Sequence, residues 1–155
     1  MLTDDTTTVD AASLVRMSPA ALDALFRASP AGEIPSGRGS GHAIALRGPG
    51  RALFSRVVRR TAWQGKDVMA TAAGGYELRN LLSPFGVRAI RAVVREGTSW
   101  VDDRPCIVLD YSKTSWLARW VRDEIREVGP GVFLGVVFLR RRRIPLMFAL
   151  RFGDE

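Results

Sequence analysis

Hydrophobic positions along the chain fall into two regimes. In the first, Leu22, Leu25 and Phe26 recur at helical spacing behind Ser18, a good N-cap, and Pro19, which suits the first helical position. This predicts a helix near residues 19–28, stopped by Ser29 and Pro30. A second stripe of Leu53, Phe54, Val57, Val58 and Ala62 predicts a helix over residues 51–62. Arg56, Arg59 and Arg60 lie off that stripe, and the arginines near its C-terminal end favour the helix dipole. Between the two, Pro30 to Gly41 reads as a Gly/Pro/Ser loop, "HAIAL" as a short strand and Gly48 to Gly50 as a break. Residues 1–13 are polar, with a threonine run and no periodicity, and read as a disordered tail ahead of a single domain over residues 14–155.

From Lys66 onward the period drops to two. "DVMATA" and "YELRNLL" flank Gly74-Gly75 as a hairpin, and "CIVLDYS", "DEIREV", "VFLGVVFL" and "LMFALRF" follow as strands. Val87 to Gly97 suits either state by spacing, and its β-branched content favours strand. The expectation is α+β: N-terminal helices packed on a strongly curved antiparallel sheet or small β-barrel running from about residue 67 to 152. The last two strands are apolar on both faces. One face must therefore line an interior while the other is covered by the helices.

Composition narrows the class. The chain has 155 residues, 46% of them hydrophobic and 25% charged, as in an ordinary globular domain. Its longest clean apolar run, Val132 to Leu139, is too short to span a membrane as a helix. The start of the sequence has no apolar signal region and the chain has one cysteine, so a cytoplasmic setting is expected. The net charge of +7 invites a nucleic-acid reading, but almost all basic residues are arginine, as base composition alone can produce, and no nucleic-acid motif accompanies them.

Few motifs carry chemistry. "GRGSG", Gly37 to Gly41, lacks the strand-before, helix-after setting of a dinucleotide loop, and "QGKD" lacks the spacing of a phosphate loop. One histidine, His42, and one cysteine, Cys106, are too few for a zinc site, so neither metal nor cofactor is expected. Cys106, between Pro105 and "IVLD", reads as a core thiol. Arg140 to Arg143 read as a solvated turn. In "RWVRDEIREV", alternation puts Val121, Asp123, Ile125 and Glu127 on one face and Arg122, Glu124, Arg126 and Val128 on the other. If Ile125 points inward, Asp123 does too, and an inward carboxylate needs a partner or a raised pKa. The bland alternative is a surface ladder of charges. Tyr111 shares a face with Ile107 and Leu109 and would set its hydroxyl at a barrel rim. In "WQGKD", Trp63 would plug one end of the barrel, and Lys66, one of two lysines, is a candidate counter-charge for this group, a place that Arg119 or another arginine could also take.

Trp63 to Lys66 ("WQGK"), Asn80 with Leu82 to Gly86 ("LSPFG"), "IVLDYS" and "DEIREVGPGVFLG" follow one another in an order that resembles a bacterial, actinobacterial-type family. Its members are small two-part proteins with an N-terminal Gly-x-Trp-x-Gly segment and a C-terminal strand-rich segment. The resemblance covers roughly Leu22 to Phe152. Gly39 stands where the family's tryptophan would be, Gln64 replaces an aromatic residue and Ile125 a phenylalanine. The resemblance implies a lipocalin-like barrel.

The first expectation for function is a carrier of a small apolar or amphipathic molecule, lined by Trp63, Lys66, Tyr111, Asp123 and Ile125. The second is a cofactor-independent isomerase, cyclase or lyase with Asp123, Tyr111 and Lys66 as acid/base groups. The third is an arginine-mediated module for nucleic acid or anionic membrane, with nucleic acid disfavoured. The sequence leaves the oligomeric state open.

Overall fold

A computed structural model describes residues 9–45, 62–71, 74–83, 88–113, 116 and 118–153. Eight antiparallel strands close into a barrel in sequence order. They are β1 (Gly37–Ala45), β2 (Ala62–Ala70), β3 (Tyr76–Ser83), β4 (Arg88–Thr98), β5 (Pro105–Asp110), β6 (Val121–Gly129), β7 (Val132–Leu139) and β8 (Arg142–Arg151). Two helices precede them, α1 (Ala11–Arg16) and α2 (Pro19–Ala28). The expected α+β barrel is thus present, and it is fully closed. β1 pairs with β2 on one side and β8 on the other, with Ser40 opposite Arg151 and Ala45 opposite Leu146. Closure leaves no sheet edge open.

β1 starts well before the short strand expected at "HAIAL". Glycine content hid it. Ile44 belongs to the outer core, so alternation turns Gly37, Gly39, Gly41 and Ala43 inward. A methyl group on Gly39 would lie 2.6 Å from Phe152 Cζ. Gly39 thus makes room for the ring of Phe152, one step beyond β8. Likewise β2 begins at Ala62, so "WQGKD" lies within a strand, with a register shift between Trp63 and Gly65. The helix expected over residues 51–62 falls on residues outside the described ones up to 61, and Ala62 is strand. β4 resolves the ambiguity of Val87 to Gly97 in favour of strand.

α2 begins as its sequence predicts: Ala21 N–H donates to the Ser18 hydroxyl (3.2 Å) and Pro19 occupies the first turn. α1 begins at Ala11, inside the segment read as a tail. Asp10 and Ser13 cap each other reciprocally there, and Leu14 is fully buried.

The apolar side chains form two layers. The inner layer lies inside the barrel and includes Ile107, Leu109, Ile125, Phe133, Phe148 and Leu150. The outer layer sandwiches Leu14, Leu22 and Phe26 of the helices against Leu134, Val136 and Met147 of β7 and β8. This is why β7 and β8 are apolar on both faces. Arg143 ties β8 to the helices. Its guanidinium pairs with Asp23 of α2, so the last arginine of "RRRR" is a helix tether and not part of a solvated turn. Arg140 and Arg141 form the turn itself, and both have positive φ, 50° and 68°.

Candidate functional site

At the end of the barrel that carries the β1–β2, β3–β4, β5–β6 and β7–β8 connections, a tyrosine and a carboxylate meet inside. β5 and β6 pair with Ile107 opposite Ile125 and Leu109 opposite Asp123. The same faces carry Tyr111, one step beyond β5. Its hydroxyl donates to Asp123 Oδ2 at 3.0 Å. Tyr111 is 2% exposed and Asp123 5%. Tyr111 therefore turns its hydroxyl into the barrel, where sequence alternation had placed it at the rim. Val137 stands opposite Asp123 on β7, and Val121, Ile144 and Leu146 pack against the same interior. The dyad lies beside apolar side chains of the barrel interior.

Of the residues singled out in the sequence, Tyr111, Asp123 and Ile125 come together here. Trp63, second residue of β2, belongs by its backbone to the same barrel end, and Lys66 pairs in register with Gly39 and Asn80. The side chains of Trp63 and Lys66 lie outside the described residues.

The opposite face of β6 is not the surface ladder that its alternating charges suggest. Glu124 and Arg126 are both 0% exposed, covered by α2 and by the turn between β4 and β5. All five guanidinium donors of Arg126 are used. Nε donates to the Pro105 carbonyl (3.1 Å), Nη1 to the Phe26 carbonyl (3.1 Å) and Asp102 Oδ2 (2.7 Å), and Nη2 to Asp102 Oδ1 (2.7 Å) and the Arg104 carbonyl (3.3 Å). The guanidinium also lies 4.6 Å from the centre of the Phe26 ring. Glu124 accepts from the Ser99 hydroxyl (2.5 Å), the Trp100 N–H (2.7 Å) and Arg122 Nη2 (3.0 Å). With all five Arg126 donors and both Glu124 oxygens engaged, this cluster reads as a structural latch: it fixes the β4–β5 turn and the end of α2 to the barrel wall.

The Arg126 hydrogen bonds hold the Asp102 carboxyl well below the usual carboxylate range, at about 2. A depressed folded-state pKa adds stability that is fully present above the unfolded value near 4 and is lost as pH falls through the folded one. Lowering the pH from about 4 to about 2 should therefore remove about 2 kcal/mol. Thermal denaturation across that interval checks this, and Asp102→Asn should flatten the dependence.

Cys106 and His42 do not form a nucleophile–base pair. Burial, then the Glu124 charge, pushes the Cys106 thiol up to about 12, so it is not a thiolate at neutral pH. His42 is exposed on β1, across the ring from β5. Among the described residues, no group of three or more His, Cys, Asp or Glu side chains could hold a metal ion. No helix among them is long and apolar enough to cross a membrane.

Two features escaped the sequence reading. One is a surface cleft of about 590 Å³ between the start of α1 and the outer face of β1, lined by Asp10, Arg38, Ser40, His42 and Arg151. The alternation Arg38, Ser40, His42 signals it once the glycines between them are known to point inward. The other is a set of exposed tryptophans and arginines at the barrel end that holds the dyad. "WLARW", Trp116 to Trp120, was its signal: an arginine between two tryptophans in a stretch without carboxylates.

No family model matches the chain. No curated protein matches it. Among solved structures it is similar to one described as "Crystal structure of protein from Thermomonospora curvata", with a TM-score of 0.60 and 14% identity over 92% of this chain and 93% of that one, a likeness that shows the fold alone.

Proposed function

We propose that the barrel binds a small apolar or amphipathic molecule at the end occupied by Tyr111 and Asp123, with the dyad as its polar anchor. The observation that carries this reading is the buried Tyr111–Asp123 hydrogen bond of 3.0 Å among apolar side chains. Burying a carboxylate is costly, and a purely structural core of this size would gain as much from an apolar pair. Small-molecule sites have the same composition: mostly apolar walls with a few placed polar groups that set orientation. Ile125 and Leu109 supply the wall, and the barrel supplies a scaffold rigid enough to hold the two polar groups in place.

Native mass spectrometry of protein purified from cells should find a retained small molecule with a polar end and an apolar body. Asp123→Asn keeps the size and most of the hydrogen bonding, so a carrier should retain the same molecule with modestly altered affinity. Protein that carries nothing and takes up no apolar fluorescent probe would refute the reading. The same variant separates binding from acid/base catalysis. Should the retained molecule prove to be turned over, loss of the ionisable group should lower the rate by roughly 10²–10⁴-fold.

A further inference from the structure

We propose that the barrel end formed by the β5–β6 and β7–β8 connections docks on an anionic lipid bilayer, through Trp116, Trp120 and Trp100 and the arginines stacked on them. Trp116 is 77% exposed, Trp120 48% and Trp100 43%, and Leu139 beside them is 44% exposed. Arg119 lies 4.4 Å from the centre of Trp120 and 5.8 Å from that of Trp116. Arg140 lies 5.0 Å from Trp120, while Arg122 and Arg141 lie 4.1 and 5.6 Å from Trp100. The Arg140 N–H donates to the Trp120 carbonyl (3.0 Å), so the two connections form one surface.

Charge complementarity chooses the partner. The β5–β6 connection carries Lys113 and Arg119, the β7–β8 turn and its flank carry Arg140, Arg141 and Arg142, and neither connection carries a carboxylate; Arg122 and Arg143 beside them are paired with Glu124 and Asp23. Such a surface is drawn to a sheet of phosphates, at about 1 kcal/mol for each basic group near it. Tryptophan is the residue that settles at headgroup depth, its ring in the acyl boundary and its N–H among polar groups. A single-stranded nucleic acid would instead need open aromatic faces on which bases could stack. Here guanidinium groups already lie over Trp120 and Trp100.

The backbone adds an independent sign. A two-residue hairpin with positive φ at both positions is the natural place for Asn-Gly. This chain keeps Arg140 and Arg141 there, in a conformation unfavourable for residues with side chains. The strained turn presents two exposed cations at this end of the barrel. The proposal stands whether or not the barrel holds a ligand.

Co-sedimentation with vesicles tests it. The full chain should bind vesicles of equal parts phosphatidylglycerol and phosphatidylcholine at least about tenfold more tightly than phosphatidylcholine alone, and salt should weaken the binding. Arg140→Asn with Arg141→Gly should weaken it by roughly tenfold or more while the melting temperature stays equal or rises. Trp116→Ala with Trp120→Ala should weaken it comparably and reduce the fluorescence blue shift on binding, leaving only the part due to Trp100. Three results would overturn the proposal: no binding, equal binding to both vesicles, or tighter binding to a single-stranded oligonucleotide that depends on the same tryptophans.

Discussion

Arg126→Met should destabilise the fold by about 3–5 kcal/mol, measured by urea or thermal denaturation. The guanidinium is fully buried and makes a bidentate pair with Asp102. Methionine fills most of its volume but leaves the Asp102 carboxylate without its counter-charge in a covered position. The carbonyls of Phe26, Pro105 and Arg104 lose a donor at the same time. Adding Asp102→Leu should recover part of the loss, since a buried ion pair can be replaced by apolar groups at little net cost. Recovery should be incomplete, because the three carbonyls remain unserved. Simple additivity of the two substitutions would mean that the residues do not act as one unit.

The second large effect is expected inside the barrel. A methyl group on Gly135 would overlap the Phe148 ring, which stands opposite it on the neighbouring strand. Gly135→Val should therefore destabilise by about 3 kcal/mol, the upper range for forcing carbon into a packed core. Phe148→Leu alone should also destabilise, because it removes ring contacts. In the Gly135→Val background, however, the same change should restore stability, since the smaller side chain clears the space that valine needs. A double variant no more stable than Gly135→Val would show that the clash lies elsewhere.

Legibility of the fold followed the hydrophobic pattern. β7 and β8 could be read because strands apolar on both faces must have both faces covered, and the molecule covers one with the other strands and one with helices. Of β1 only the end at "HAIAL" could be read, because glycines precede it and Gly39 yields to Phe152. α1 is six residues long, too short for a periodic signal, and only its capping pair betrays it. At the candidate site, the alternation of β5 and β6 correctly grouped Tyr111, Asp123 and Ile125, since a period of two needs no knowledge of the partner strand. It could not reveal that Glu124 and Arg126 are buried. Charged residues in alternation look the same whether they face water or a covering helix. What distinguishes them is Asp102 and Ser99, which are brought across by a turn that only the tertiary structure positions.

The seam between β1 and β8 has a kinetic consequence. Ser40 must find Arg151, and Ala45 must find Leu146, across almost the whole intervening chain. Every other seam joins consecutive strands. The consecutive hairpins can form from nearby contacts, whereas this pairing meets the loop-closure entropy of the longest loop in the barrel. Until it forms, both β1 and β8 present unpaired edges. Refolding should therefore pass through an open, curved sheet whose exposed edges make it prone to self-association, and the yield of closed barrel should fall as protein concentration rises during refolding.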